Sequence, residues 1–570
     1  MRVLLLCHSF NSLTQRLFVE LGEAGHCVSV EFDVNDRVTE EAATLFRPEL
    51  IVAPFLKRAI PESVWRRHAS IVVHPGIAGD RGPSALDWAI INRESVWGVT
   101  ALQANGEMDG GDIWASTGFP MRDATKSSLY RNEVTEAAVG ALKLTLARIA
   151  EAGFRPQPLD YSRAEIRGRL RPPMRQTDRS IDWREDEAET VLRKVRAADG
   201  HPGVLDLIRG KRYYLYDAHA EGRLRGSAPG EIIAQRDGAI CRATRDGAVW
   251  ITHLKRAADP GAFKLPATLV LEGGLAGVPD IRLPPQAHVD HPTWRAIRYE
   301  ERGSVGYLHF EFYNGAMSTE QCEQLRQAYV FARARPTRVI VLMGGPDFWS
   351  NGIHLNLIEH SAHPAEESWR NINAMNDLVR EIIVTDHQLT IAALSGNAGA
   401  GGAFLALAAD RVYARDGVVL NPHYKGMGNL YGSEYWTYLL PRRVAPEQAR
   451  TIVANRLPIC TRQATSLGLI DDHIGATPAV FCSGVERRAA DLANDQGFAT
   501  LLRAKHRQRS ADQAARPLET YRQQELERMQ LNFFGFDSSY HVARYNFVHK
   551  LPRSRTPLYL APHRIRAPSR

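Results

Sequence analysis

Thr390-Ile-Ala-Ala-Leu-Ser-Gly-Asn-Ala-Gly-Ala-Gly-Gly-Ala-Phe-Leu-Ala-Leu-Ala-Ala-Asp410 reads as a short buried strand, a glycine-rich loop and an apolar helix. Backbone N–H groups at the start of such a helix point at whatever lies above them, and the helix dipole favours negative charge there. Upstream, Val339-Ile-Val-Leu-Met-Gly-Gly-Pro-Asp-Phe-Trp-Ser-Asn-Gly-Ile-His-Leu355 repeats part of the plan, with a buried strand followed by a turn at Gly352. One N–H donor from each loop would make an oxyanion hole for a carbonyl group. A single glycine-rich loop is explained equally well by close strand–helix packing, so the weight rests on the two loops together.

The rest of the chain must hold other domains. A single hydrophobic core stops growing near about 250–300 residues, and this chain has 570. It is 44% apolar and 24% charged, the make-up of an ordinary globular protein. The net charge of +7 suits a small anionic ligand or no special partner. Much of the surplus lies late, in Arg503, Lys505, Arg507 and Arg509, then Arg553, Arg555, Arg564, Arg566 and Arg570. Such a run reads as a solvated face or tail. No basic motif interleaved with aromatics suggests nucleic-acid binding. The six cysteines form no CxxC pair, which argues against zinc and disulfides and for a reducing, cytoplasmic setting. The apolar run at residues 1–8 is too short for a signal peptide and reads as a first strand. No run of about 18 apolar residues is present to cross a membrane.

Strand and helix patterns alternate from the N-terminus, with Val3–Cys7, Val28–Phe32, Leu50–Ala53 and Ile71–His74 as strands and Leu13–Ala24 as a helix. This predicts a parallel, doubly wound, Rossmann-like sheet over 1–165. Arg169-Leu-Arg-Pro-Pro-Met-Arg reads as a linker, and short strands with glycine turns predict a small β-barrel within 166–290. A second α/β module spans 291–495, and a helical extension and tail span 496–570. The fold class is α/β multidomain.

In the front module, Ser70-Ile-Val-Val-His-Pro-Gly-Ile-Ala-Gly-Asp-Arg-Gly-Pro-Ser84 ends a strand at His74. Gly98-Val-Thr-Ala-Leu-Gln-Ala and Met108-Asp-Gly-Gly-Asp-Ile then form a strand feeding a turn that carries Asp109. A His and an Asp on adjacent strand ends can face one cleft, the carboxylate raising the basicity of the imidazole. These segments resemble the folate-dependent formyltransferases, and Leu192-Arg-Lys-Val-Arg-Ala-Ala-Asp-Gly-His-Pro-Gly203 resembles the entry to their OB-like C-terminal barrel. The resemblance implies that His74 and Asp109 are catalytic. Val72 stands where that family has an Asn that helps hold the oxyanion, and Lys57 is one residue that could replace it.

The two back loops, with Asp410-Arg-Val-Tyr-Ala and Ala464-Thr-Ser-Leu-Gly-Leu-Ile-Asp-Asp, resemble the crotonase (enoyl-CoA hydratase/isomerase) superfamily, a spiral ββα fold. The resemblance implies an oxyanion hole from the backbone N–H groups of Ile353 and Gly401. Hydratases activate water with two Glu residues, and here Phe404 and Tyr424 occupy those positions. Phe404 cannot move a proton, which excludes hydration. His423, Tyr424, Lys425, Tyr431 and Glu434 crowd the following loop.

A formyl-transfer module fused to a thioester module implies a shared formyl-CoA intermediate. The formyl group of 10-formyltetrahydrofolate would pass to the thiol of coenzyme A. Release of CO then requires removal of the formyl proton and protonation of sulfur, roles that suit Glu434 and Tyr424. The fusion, with Gly-Ser-Glu-Tyr-Trp-Thr-Tyr438 behind, resembles the HypX/HoxX-type nickel–iron hydrogenase maturation proteins. That resemblance implies supply of CO to the hydrogenase, the hydrogenase large subunit or its maturation machinery as partner, and coenzyme A contacts at Gln15, Arg131 and Arg544. Three alternatives remain at this point: a formyl-CoA hydrolase, a formyltransferase with an inert back half, and a non-enzymatic chaperone.

Overall fold

The computed structural model describes residues 1–565. The chain divides into two compact units. The first comprises residues 1–262 and 266–279 together with the C-terminal segment from Pro552, and the second comprises 263–265 and 280–551.

The first unit opens on a six-stranded sheet of β1 (Arg2–Cys7), β2 (Cys27–Phe32), β3 (Leu50–Phe55), β4 (Ser70–His74), β5 (Val96–Gln103) and β6 (Ile113–Pro120), in the order β2-β1-β3-β4-β5-β6. Val3 to Cys7 are all buried, as expected of a strand covered on both faces. β2, β1, β3 and β4 are parallel, but β5 runs antiparallel to β4, and β6 antiparallel to β5. The expectation of a parallel sheet is therefore corrected for its second half. There β5 and β6 form a hairpin, which needs only a loop where a parallel pair needs a crossover.

The segment after the sheet is no free linker. Arg81 bridges Leu170, and the Arg171 N–H donates to the Arg81 carbonyl over 2.9 Å. An antiparallel sheet follows, built from β7 (Val204–Ile208), β8 (Lys211–Glu221), β9 (Ile232–Arg236), β10 (Ala239–Ala243) and β11 (Ala248–Arg256), along the path β7-β8-β11-β10-β9. The helix Ala188–Ala198 packs on β8, burying Val191, Leu192 and Val195.

Part of the basic C-terminal run departs from the expected solvated tail, while Arg503, Arg507, Arg553 and Arg555 are exposed as expected. Leu560 accepts from Val30 N–H at 2.8 Å, and Thr556 Oγ1 accepts from Phe32 N–H at 2.8 Å. Glu31 of β2, fully buried, receives Thr556 Oγ1, His563 Nε2 (3.0 Å) and Arg564 Nε (2.6 Å). β2 ends the sheet, so the segment covers an edge that would otherwise offer unpaired backbone groups. Earlier in the run, Lys505 is half-buried, its ammonium paired with Asp410 at 2.6 Å. Arg566 and Arg570 lie outside the described residues.

The second unit is built on strands Ile297–Arg302, Val305–Phe310, Val339–Gly344, Leu389–Leu394, Arg411–Ala414 and Asp472–His473, paired in that order. The first pair is antiparallel and the others are parallel. A smaller sheet pairs Phe348–Ser350, Asn397–Gly399, Val419–Asn421 and Ile459–Cys460. Val341, Ile391 and Ala393 pack with Phe481, Val485 and Ala489 of the helix Pro478–Asn494. Helices Phe498–Ala515, Leu518–Phe534 and Ser539–Val548 complete the unit. Leu518–Phe534 lies on the helices Pro364–Ile383 and Trp436–Arg443, the latter following the loop that carries Glu434. Among the described residues, no helix is long and apolar enough to cross a membrane.

Candidate active sites

The front site forms where β4 ends. His74 is buried, its Nε2 lying 3.0 Å from Asp80 Oδ2 and its Nδ1 3.5 Å from Asp109 Oδ2. The antiparallel turn of β5 changes how Asp109 arrives. The carboxyl end of β5 lies beside the start of β4, since Gln103 pairs with Ile71. The β5–β6 loop must therefore reach back towards His74. Arg81 holds it there, donating to the Met108 carbonyl at 2.9 Å and pairing with Glu107 at 3.1 Å. Asp109 itself accepts from Gly82 N–H at 3.1 Å and has a left-handed φ of 49°.

Asp80, missed in the sequence reading, makes the closer contact to the imidazole. It is 1% exposed and is held in turn by Arg171 Nε at 3.1 Å. Between the pair lies Gly76, where any Cβ would overlap His74 Nε2 and Asp80 Oδ2, so glycine alone lets the loop close. The signal was present in Gly79-Asp80-Arg81, six residues beyond the histidine. Val72, expected from the formyltransferase resemblance to stand at an Asn position, packs partly buried on the core of the sheet. Lys57 is exposed after β3, its N–H donating to Asp33 at 3.1 Å.

The back site joins the two loops that opened the sequence reading. Gly352 N–H donates to Ser350 Oγ at 3.1 Å, and His354 N–H to Asn371 Oδ1 at 3.0 Å, which fixes the turn around Ile353. Gly401 begins the buried helix Gly401–Leu407. The first N–H groups of a helix have no intrahelical partner. A Cβ on Gly401 would overlap the Glu434 carboxylate, so Glu434 stands directly over this helix start.

Glu434 is 1% exposed and accepts from the Tyr424 hydroxyl at 2.5 Å. Burial, and then the charge of Glu525, push its pKa up to about 8. Burial and the Glu434 charge hold the Tyr424 phenol well above its usual value. Phe404 stacks on Tyr424 with ring centroids 5.4 Å apart and planes 14° apart. Phe404, expected from the crotonase resemblance at a Glu position, is thus an apolar wall against Tyr424. His423 lies in the same loop, its ring nitrogens buried, and burial lowers it to about 4. Tyr431 is 37% exposed. Of the proton carriers named from sequence, Tyr424 and Glu434 meet one another. Asn376 and Glu525, which grip the Glu434 turn, were missed because they lie on helices distant in sequence.

Gln15 and Arg131 belong to the first unit, on the contacting elements Ser12–Glu23 and Tyr130–Val134. Gln15 Nε2 donates to the Phe10 carbonyl at 3.0 Å. Arg544 belongs to the second unit, where its Nε pairs with Glu359 at 2.7 Å and its guanidinium lies 5.4 Å from the Tyr540 ring centroid. Among the described residues, no group of three or more His, Cys, Asp or Glu side chains is placed to hold a metal ion.

Comparison with known proteins places both parts of the chain in known families. Residues 173–261 match the family described as formyl transferase, C-terminal domain, and residues 301–552 match enoyl-CoA hydratase/isomerase. Hydrogenase maturation factor HoxX of Bradyrhizobium diazoefficiens is 54% identical over 571 residues, covering 100% of this chain and 99% of that protein. The chain belongs to the HypX/HoxX family of hydrogenase maturation factors. HypX of Aquifex aeolicus, solved in complex with tetrahydrofolic acid, is 49% identical and superposes with a TM-score of 0.96 over 100% of both chains. Methionyl-tRNA formyltransferase of Streptococcus equi subsp. equi is 30% identical over 194 residues, 34% of this chain and 59% of that protein. The expected fusion of a formyltransferase module to a crotonase module is therefore a property of the HypX/HoxX family.

Proposed function

We propose that the chain moves the formyl group of 10-formyltetrahydrofolate to the thiol of coenzyme A in its first unit. In its second unit it releases CO from the formyl thioester, for use in hydrogenase maturation. The folate assignment draws on the Aquifex aeolicus HypX complex and on the formyltransferase likeness of the first unit. There His74, oriented by Asp80 and Asp109, assists thiol attack on the formyl carbon; the C–N10 bond then breaks and N10 takes up a proton. Gln15 and Arg131 are proposed for coenzyme A contacts in this unit, and Arg544 for such a contact in the second, guanidinium groups being suited to phosphate.

The observation that carries the second step is the Glu434 carboxyl, paired with Tyr424 over the Gly401 helix start with Phe404 as the facing wall. N–H groups of Ile353 and Gly401 polarise the thioester oxygen. Glu434 takes the formyl proton, and the C–H electron pair stays on carbon as the lone pair of CO. The C–S bond breaks with its pair on sulfur. Tyr424 protonates the thiolate and recovers a proton from Glu434 across their 2.5 Å hydrogen bond. The products are CO and free thiol, and the pair is reset. A carboxylate held near 8 is matched to proton transfer around neutral pH.

The test uses 10-formyltetrahydrofolate labelled with carbon-13 in the formyl group, with coenzyme A, and a haem trap for gas. Labelled CO that depends on the thiol is expected. Labelled formate without CO, or turnover without coenzyme A, would overturn the reading.

A further inference from the structure

Glu434 and Tyr435 both sit in the left-handed region, with φ of 60° and 58°. Two adjacent non-glycine residues in that region persist only where the surroundings over-determine them. One constraint is Asn376 of the helix Pro364–Ile383, whose Oδ1 accepts from Glu434 N–H at 2.7 Å. The other comes from the helix Leu518–Phe534. Its Glu525, with no exposed surface, accepts from Tyr435 N–H at 2.9 Å and Thr437 N–H at 2.8 Å. The same carboxylate receives the hydroxyls of Thr437 at 2.5 Å and Ser433 at 3.3 Å. Both oxygens are thus spent on the turn that aims Glu434.

We infer that Glu525 is a positioning residue for proton transfer at Glu434, clamping the 433–437 turn and setting the charge that Glu434 feels. A neutral amide, as at Asn376, serves one N–H of this turn at no charge cost. A second carboxylate close to the first is costly in a buried site, unless its repulsion serves to hold a proton on the partner. Burial pushes Glu525 itself up to about 7, against the donors that lower it. The groups facing Glu434 are Tyr424 from its own loop, Cys322 from the helix Thr319–Arg333, uncharged Asn376, and Glu525. Burial and the Glu434 charge hold the Cys322 thiol protonated, which leaves Glu525 as the facing carboxyl, an anion once pH passes about 7.

The inference rests on Glu434 being the base, and the experiment separates the two claims. The full chain, Glu525→Gln and Glu434→Gln are given presynthesised formyl-CoA, and CO is measured across pH. Glu525→Gln is expected to lower kcat for CO release roughly 10–100-fold, with KM and formyl transfer from folate within about twofold of wild type. With the repulsion gone, the ascending limb of its pH–rate profile should move about one unit to lower pH. Wild-type kcat with an unmoved limb, even at a lower melting temperature, would make Glu525 merely structural and overturn the inference. CO release retained by Glu434→Gln would instead remove the underlying reading. Should Glu525→Gln not fold, Thr437→Val removes one donor to the same carboxylate. A kcat loss of about 3–10-fold then supports the clamp, and an unchanged kcat overturns it.

Discussion

At the residue scale, the positions expected from the sequence to depart from the formyltransferase and crotonase patterns sit beside the groups proposed to act. Phe404 lies against Tyr424, and Val72 belongs to β4, the strand that ends in His74. On the proposed mechanism, Glu434→Gln is expected to lower CO release by about 10²–10⁴-fold while formyl-CoA accumulates, which single-turnover product analysis would resolve. Asp80→Asn removes the charge nearest the imidazole, leaving it poorly oriented. Formyl transfer should fall by roughly 10²-fold or more, with CO release from added formyl-CoA unchanged; equal losses in both assays would argue against the assignment. Glu434 also links stability to pH. Its pKa is raised from 4.5 to about 8 on folding, so the protonated form is preferred in the native state. That contribution is complete below 4.5 and is lost as pH rises through about 8. The melting-temperature advantage of wild type over Glu434→Gln should therefore shrink as pH rises from about 4.5 to about 8 and level off above that.

At the element scale, function depends on loops whose backbones approach closely. Gly401→Ala would drive a methyl group into the Glu434 carboxylate. It is expected to cost CO release by about 10²-fold or more, as losing an oxyanion donor does, with formyl transfer preserved in the same preparation. Strand and helix segments were legible because burial leaves a periodic mark: β1 and the helix Ser12–Glu23 fall within a residue or so of where the apolar pattern places them. Strand direction was not legible. The residues of β5 read the same whether the strand runs with β4 or against it. Only the sheet reveals that Asp109 reaches His74 through a returning loop tied by Arg81.

At the scale of the whole molecule, the basic C-terminal segment is structural to the first unit. His563→Ala with Arg564→Ala would leave Glu31 buried without its Arg564 guanidinium and its His563 hydrogen-bond partner. A penalty of about 3–5 kcal/mol is typical of breaking a buried ion pair, and urea unfolding should show the loss in the first unit while CO release from formyl-CoA persists. An unchanged unfolding midpoint would return the segment to the solvated tail expected from its composition.

The sequence by itself determined the two modules and the family. Glycine-rich turns, strand runs and the absence of a hydratase glutamate are local facts, written in adjacent letters. Tertiary structure alone decided what surrounds those residues: Asp80 and Arg171 on His74, Asn376 and Glu525 on the Glu434 turn, and Thr556, His563 and Arg564 on Glu31. These partners are remote in sequence or hidden among ordinary polar residues. What selects them is the cost of leaving a buried charge or N–H unsatisfied, and that cost exists only once the chain has closed around it. The glycine-rich loop at 396–402 began as one half of an oxyanion hole; folded, it is also the surface on which Glu434 rests.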